Sequence, residues 1–307
     1  MVAIIQKAIQ RGPKRVFRAV RARLLRPFHR LRTRGAPEYV DPTEAELHQI
    51  ELALRKMGVA VHDYSADERA LAEFRNRFAF PSNYHGGIRD GVFDEKLVEH
   101  FVAWDALELH SRADRWPYLD IASASSPWAK LLRERELTAF SIDLDPDPMF
   151  SGLDFYMKAD ATAAPFATAS IGSASLQCAF EMFSGDSDTR LVEELARILK
   201  PRGCALIAPL YMHTHPCFYQ SVEYFGLAPI DAGATCYLRS SAWQVAASRK
   251  YSALTLLSRV LEPATACGLI PRVHVLRNKK RLGAGIYLHF FLSLEKPNSG
   301  DSHDRTG

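Results

Sequence analysis

The chain has no glycine in the turn directly after its first core strand, no acid among its first 34 residues, no CxxC pair and no apolar run of membrane-spanning length. Each absence excludes something. A transmembrane helix needs about 20 consecutive apolar residues, and the longest runs here are interrupted by charge or are strand-like. The five cysteines, Cys178, Cys204, Cys217, Cys236 and Cys267, are odd in number and none are paired at metal-ligand spacing. They read as reduced thiols of a cytoplasmic protein, and no metal site is expected. A nicotinamide-dependent oxidoreductase would want GxGxxG after the first strand, and the missing glycines disfavour it. The missing acids make the start strongly cationic. Residues 1–34 carry eleven Lys or Arg, which leaves 28 basic against 35 acidic residues, or −7, in the remainder of a chain of net charge +4.

What is present suits one α/β domain with extensions. The 307 residues exceed one average domain, and 47% are hydrophobic, enough for a sizeable core. The expected organisation is a basic amphipathic arm (1–36), a main domain (37–296) with an insertion or cap at 217–268, and a disordered tail (297–307). In the arm, Phe17, Val20, Leu24, Phe28 and Leu31 share one helical face, and arginines fill much of the rest. Residues 1–34 could make peripheral contact with the inner membrane surface, bind nucleic acid, act as a transit peptide or simply solubilise the chain. Residues 43–80 read as helical, with a start at Pro42-Thr43-Glu44 and a second helix over about 65–78. The loop Tyr84-His85-Gly86-Gly87 is a connector or a lid. Another helix is expected over about 94–109.

Residues 116–210 alternate apolar runs with helical patterns, the mark of βαβ units and a parallel sheet. The first core strand, Trp116–Ile121, runs into Asp120-Ile-Ala-Ser-Ala-Ser-Ser126, and a helix opens at Pro127 behind Ser126. The second, 138–144, meets Asp143 near its end, and a short third strand around 155–158 leads to Asp160. The fourth is 171–179. A helix over about 189–199, capped by Asp188, turns through Lys200-Pro-Arg-Gly203 into the fifth strand, 204–210. Such a sheet places its ligand at the carboxyl ends of the strands. Small residues there let a ligand approach the backbone. An acid ending the second strand can accept both hydroxyls of a ribose, and one after the third can accept an exocyclic amine.

This ordered set resembles the class I S-adenosylmethionine-dependent methyltransferase family over about residues 94–210. Leu191-Val-Glu-Glu-Leu-Ala-Arg-Ile-Leu-Lys-Pro-Arg-Gly203 is its most specific match. Alanine and serine replace every glycine of the family's first motif, so positive φ angles there become costly. The resemblance implies a Rossmann-like, seven-stranded, mostly parallel sheet with helices on both faces, an N-terminal helical extension and an insertion between strands five and six. It implies S-adenosylmethionine as cofactor, bound by Asp120, Ala122, Ser123, Ser125, Asp143, Leu144, Asp160, Ala161, Gln177 and Cys178. The implied reaction is displacement of a methyl group from a sulfonium, catalysed mainly by alignment and, for an oxygen acceptor, by a general base. Candidates for that base are His213, His215 and Glu181, with Tyr211 and His85 behind them. Tyr237, Trp243, Arg249 and Tyr251 of the insertion are possible acceptor contacts or its own small core. The expected acceptor is a small molecule, a carbohydrate or a lipid-linked compound. The acidic body and the lack of an Asn-Pro-Pro-Tyr-type segment argue against nucleic acid. The rival reading is a methyltransferase fold that has lost catalysis and serves as a binding or scaffold protein.

Overall fold

The computed structural model describes residue 25 and residues 27–87, 92–150 and 152–298. The amphipathic face expected from Phe17 lies mostly outside these residues, as does the tail beyond residue 298. Residues 27–32 are helical, and Arg32 donates to the carbonyls of Phe225 (2.6 Å) and Val222 (3.0 Å) in the insertion. Among the described residues no helix is long and apolar enough to cross a membrane.

The helices begin where short polar side chains can satisfy free amides. In α1 (Glu44–Lys56) Thr43 and Glu46 form a reciprocal capping box, and Gly58 ends the segment at φ 78°. Asp67 caps α2 (Glu68–Arg77) through the amides of Arg69 and Ala70. Helix α3 (Phe93–Ala106) is buried on nearly every side although it carries Glu95, Lys96, Glu99 and His100, so its sequence shows no clear apolar stripe.

Eight strands form the main sheet. They are β1 (Val61–Tyr64), β2 (Tyr118–Ile121), β3 (Ala139–Asp143), β4 (Tyr156–Lys158), β5 (Ile171–Gln177), β6 (Leu199–Ala208), β10 (Ile270–Leu276) and β11 (Phe290–Glu295). Their order is β1-β10-β11-β6-β5-β2-β3-β4, with only β11 antiparallel to its neighbours. The Rossmann-like architecture expected from the resemblance is therefore present. Period-two alternation divides the apolar residues between two faces. Leu119, Ile121, Ala205, Ile207 and Leu292 join α1 and α5 (Ser187–Ile198) in one core. Tyr118, Leu206, Ala208 and Phe291 join α2, α3 and α4 (Trp128–Arg133) in the other. Truncating Leu119, fully buried, would cost about 2–5 kcal/mol. Gly172 is required by space, since a Cβ there would lie 2.4 Å from the backbone of Arg115.

Several expectations need correction. The sheet has eight strands, not seven. The extra one, β1, is a four-residue segment inside the stretch read as helical, and its pairing with β10, more than 200 residues away, decides its state. Asp188 does not cap α5. It lies inside the helix, fully buried, with Asp186 at the cap position. Pro127 sits one place before α4, while the Ser126 hydroxyl still accepts from the Trp128 amide (3.2 Å). Lys200–Gly203 is a bulge within β6 rather than a turn ahead of it. Between β6 and β10 the chain builds a second sheet of β7 (Cys217–Gln220), β8 (Thr235–Leu238) and β9 (Ser248–Lys250), ordered β8-β7-β9. A helix α6 follows, made of Ala253–Leu256, a π-turn over Leu257–Leu261, and Glu262–Ala266.

Candidate active site

The carboxyl ends of β2, β3 and β5 carry most of the residues singled out from the sequence. After β2 the chain turns through Ala122 (φ 54°) and Ala124 (φ 48°), both in the left-handed region that normally favours glycine. Each costs about 1–2 kcal/mol in a residue with a side chain. Hydrogen bonds hold the turn in place. Asp143 accepts from the Ala124 amide through Oδ2 (2.7 Å) and from the Asp145 amide through Oδ1 (2.7 Å). Tyr156 donates to the Ala124 carbonyl. Ser123 donates to the Tyr156 hydroxyl (3.0 Å) and accepts from Ser141 (2.6 Å). Local side chains thus impose the geometry that glycine would permit.

Asp120 is fully buried beside this turn, and its Oδ2 has no hydrogen-bond partner among the described residues. Burial pushes its carboxyl up to about 7, the Ser126 hydroxyl opposes the rise and the charge of Asp143 adds to it. Leu144 is an apolar side chain left 66% exposed next to Asp143, and Ser125 is half-buried. Asp160 caps its own turn by accepting from the amide and hydroxyl of Thr162 (2.9 Å each), which holds its carboxyl below the usual range, and Ala161 beneath it is buried. At the end of β5, Gln177 Oε1 is also buried without a partner among the described residues. Cys178 follows at φ 52°.

Cys178 opens onto a different kind of assembly. Its sulfur lies 3.2 Å from the Tyr211 hydroxyl and 3.7 Å from Glu181 Oε1. Burial first, then the nearby carboxylates, push the thiol up to about 12, so it stays protonated. Glu181 is buried, with Oε2 unpartnered among the described residues. Lys250 from β9 is fully enclosed. Its ammonium stands 3.7 Å from the centre of the Tyr211 ring and donates to Ser248 (3.1 Å). Burial pulls it down to about 8, against the charge of Glu181. From α3, Lys96 donates to both oxygens of Glu99 (2.7 and 2.9 Å). Burial works against that ammonium, but Glu99 outweighs it and keeps Lys96 charged. Tyr287 donates to Glu99 (3.4 Å), and its amide and that of Leu288 donate to Glu95. Burial and the charge of Glu99 raise the Glu95 carboxyl.

Glu181 and Tyr211 are the acceptor-side residues visible in the sequence that this assembly includes. Lys96, Glu99, Lys250 and Tyr287 were missed. A lysine and two glutamates inside a buried helix were the only local signal, and that signal needs α3 to be recognised as buried. His213 and His215 lie elsewhere. Their rings pack on each other (4.4 Å between centroids) and on Tyr237, and His213 also packs on Tyr39. Cys217 joins them, with ligand atoms of all three within 4.8 Å of one another. The expectation of no metal site overlooked this third donor, because a bend at residues 214–215 rather than sequence spacing brings it in. His85 is exposed at φ 47°. Arg249 and Tyr251 bind Asp188 (3.0 and 2.8 Å), and Arg259 binds it too (2.6 Å), so they fasten the insertion to α5 instead of lining an acceptor site.

Residues 119–207, the stretch spanning β2 to β6, match the family model described as a methyltransferase domain. No curated protein matches the chain. Among solved structures, the 1,6-didemethyltoxoflavin-N1-methyltransferase of Burkholderia thailandensis is 15% identical, with 86% of this chain and 100% of that one covered at a TM-score of 0.44. An S-adenosylmethionine-dependent methyltransferase from Mesorhizobium loti is 16% identical, covering 64% and 98% at 0.41. One from Methanosarcina mazei is 14% identical, covering 59% and 92% at 0.39.

Proposed function

We propose that this protein, whose residues 119–207 match the methyltransferase-domain family, is an S-adenosylmethionine-dependent methyltransferase acting at oxygen on a small-molecule, carbohydrate or lipid-linked acceptor. The observation that carries the reading is the meeting, at the ends of neighbouring strands, of unpartnered buried polar atoms with a strained, small-residue turn. Asp120 Oδ2 and Gln177 Oε1 want a donor, and an ammonium group of a ligand would supply one. Each Asp143 oxygen already accepts one amide and keeps a second acceptor position for a ribose hydroxyl. Asp160 is the residue for an adenine amine, and Leu144 offers apolar surface to the base. These residues therefore fit S-adenosylmethionine, which when bound supplies a sulfonium-activated methyl group.

The chain's own task is then to place an acceptor hydroxyl and remove its proton. Glu181 Oε2 is the acceptor-side base on this reading, with Tyr211 and Lys250 beside it to position the hydroxyl. Lys250 shares in proton removal as pH approaches about 8, where its amine becomes neutral. Cys178 remains a thiol and serves as a hydrogen-bonding neighbour, not as a nucleophile.

A non-catalytic binding role is the second reading. It is favoured by the degree to which the turn after β2 is satisfied internally, with Asp143 already accepting two amides. Calorimetric titration with S-adenosylmethionine separates the two. Micromolar binding, lost in Asp143→Ala, is expected for the enzyme. Release of S-adenosylhomocysteine from an acceptor library, abolished in Glu181→Gln, then tests catalysis. A folded wild-type protein that binds no cofactor leaves only the second reading.

A further inference from the structure

We infer that His213, His215 and Cys217 form a binding site for one divalent cation of the zinc class, separate from the methyl-transfer site. Their ligand atoms already lie within 4.8 Å of one another. Bonds of about 2.0–2.3 Å to a tetrahedral ion require separations near 3.3–3.8 Å, so the set has to draw together by about 1 Å. Two imidazoles and a thiolate select borderline metals such as zinc or cobalt over magnesium and calcium, which take oxygen.

The surroundings are ordered as a ligand set needs. The His213 amide donates to the Tyr251 carbonyl (2.8 Å), which fixes the backbone just before the bend. The Tyr237 hydroxyl lies 3.0 Å from His215 Nε2 and orients that ring, the usual arrangement behind a metal-bound imidazole. The Thr214 hydroxyl lies 3.3 Å from Nδ1 of both histidines. Cys217 is fully buried at the start of β7, and on metal binding its thiol proton passes to solvent. Lys250 faces Cys217 across the β7–β9 pair and opposes a cation there. Its ammonium is occupied by the Tyr211 ring and Ser248, which limits the opposition. Three protein donors leave the fourth position to water or to another ligand.

The test is titration of chelator-treated, full-length protein with Co²⁺, followed by visible and near-ultraviolet absorption. The expected result is one Co²⁺ per chain, with tetrahedral d–d bands and a thiolate charge-transfer band, all reversed by added Zn²⁺. Cys217→Ser should lose the charge-transfer band. His215→Ala, at a partly exposed position, should weaken binding about a hundredfold or more and Tyr237→Phe about tenfold. Circular dichroism of both His215→Ala and Tyr237→Phe checks that they fold. Absence of a saturable band in folded wild-type protein overturns the inference. So does Co²⁺ binding that folded His215→Ala retains unchanged, since the cluster would then be only a hydrogen-bonded corner of the insertion.

Discussion

The two halves of the candidate site are held together by opposite means. On the cofactor side short side chains hold backbone. Asp143 accepts two amides, Asp160 caps its own turn, and Ser123 and Tyr156 latch the loop after β2. On the acceptor side long side chains hold one another. Lys96 pairs with Glu99, Tyr211 meets Cys178, and Lys250 lies on Tyr211. Short polar groups tied to neighbouring backbone lose little rotamer freedom, and they hold the first half rigid against the left-handed strain of Ala122 and Ala124. Lysines and glutamates withdrawn from water cost desolvation as well as side-chain entropy. A hydrophobic filling would avoid that cost, so the presence of ionisable groups points to chemistry or specificity on the acceptor side.

The largest expected effect would break the comparison outright. Glu181→Gln should lower the rate of methyl transfer about a thousandfold, the usual reach of a general base, while calorimetry shows cofactor affinity unchanged. Equal loss of both would mean that the two halves are not functionally distinct. Asp188→Ala comes next. It removes one of the two carboxylates that Arg249 and Arg259 share, leaving them Asp231, and should cost about 3 kcal/mol in denaturant melts. A loss under about 1 kcal/mol would show that the insertion is fastened elsewhere.

A pH titration sharpens the contrast further. Asp120 is raised to about 7 from 3.8, so the folded protein holds a proton that the unfolded chain has released. Its stabilising contribution is complete below about 4 and is lost as pH rises through 7. The stability of Asp120→Asn relative to wild type should therefore rise with pH across that window, by about 1.4 kcal/mol per unit for one proton. Parallel stability curves would show that Asp120 is ionised throughout. The smallest effect is expected at Ala124→Gly. Relief of left-handed strain, about 1 kcal/mol, is offset by about 0.4–1 kcal/mol of extra freedom in the unfolded chain. Melting and cofactor affinity should hardly move. A large loss of affinity would mean that the Ala124 side chain itself touches the ligand.

Legibility followed sequence distance. Asp120, Asp143 and Asp160 could be placed because each ends a strand or opens the following turn, and the strands could be read from short apolar runs. Their shared side of the sheet then follows from βαβ connectivity. Lys96, Lys250 and Tyr287 come from three segments that nothing local connects. Lys250 in particular reads as one basic residue in a run of polar ones, Ala-Ser-Arg-Lys-Tyr251. Only its enclosure by β7 and the aromatic rings Tyr39, Tyr211 and Tyr219 distinguishes it. His213 and His215 were visible as a pair, while the third donor, two residues on, joined them only through a bend.

The sequence by itself determined the order of strands from Trp116 to Leu210 and the acids at their carboxyl ends. Those features rest on periodicity and turn chemistry, which act over a few residues. The tertiary structure decided the rest: that Val61–Tyr64 is a strand, that Asp188 is an anchor and not a cap, and that a buried ionic cluster adjoins the carboxyl ends of the central strands. Each of those depends on partners tens to hundreds of residues away. Burial by such partners sets both the conformation of a weak segment and the charge of a titratable one.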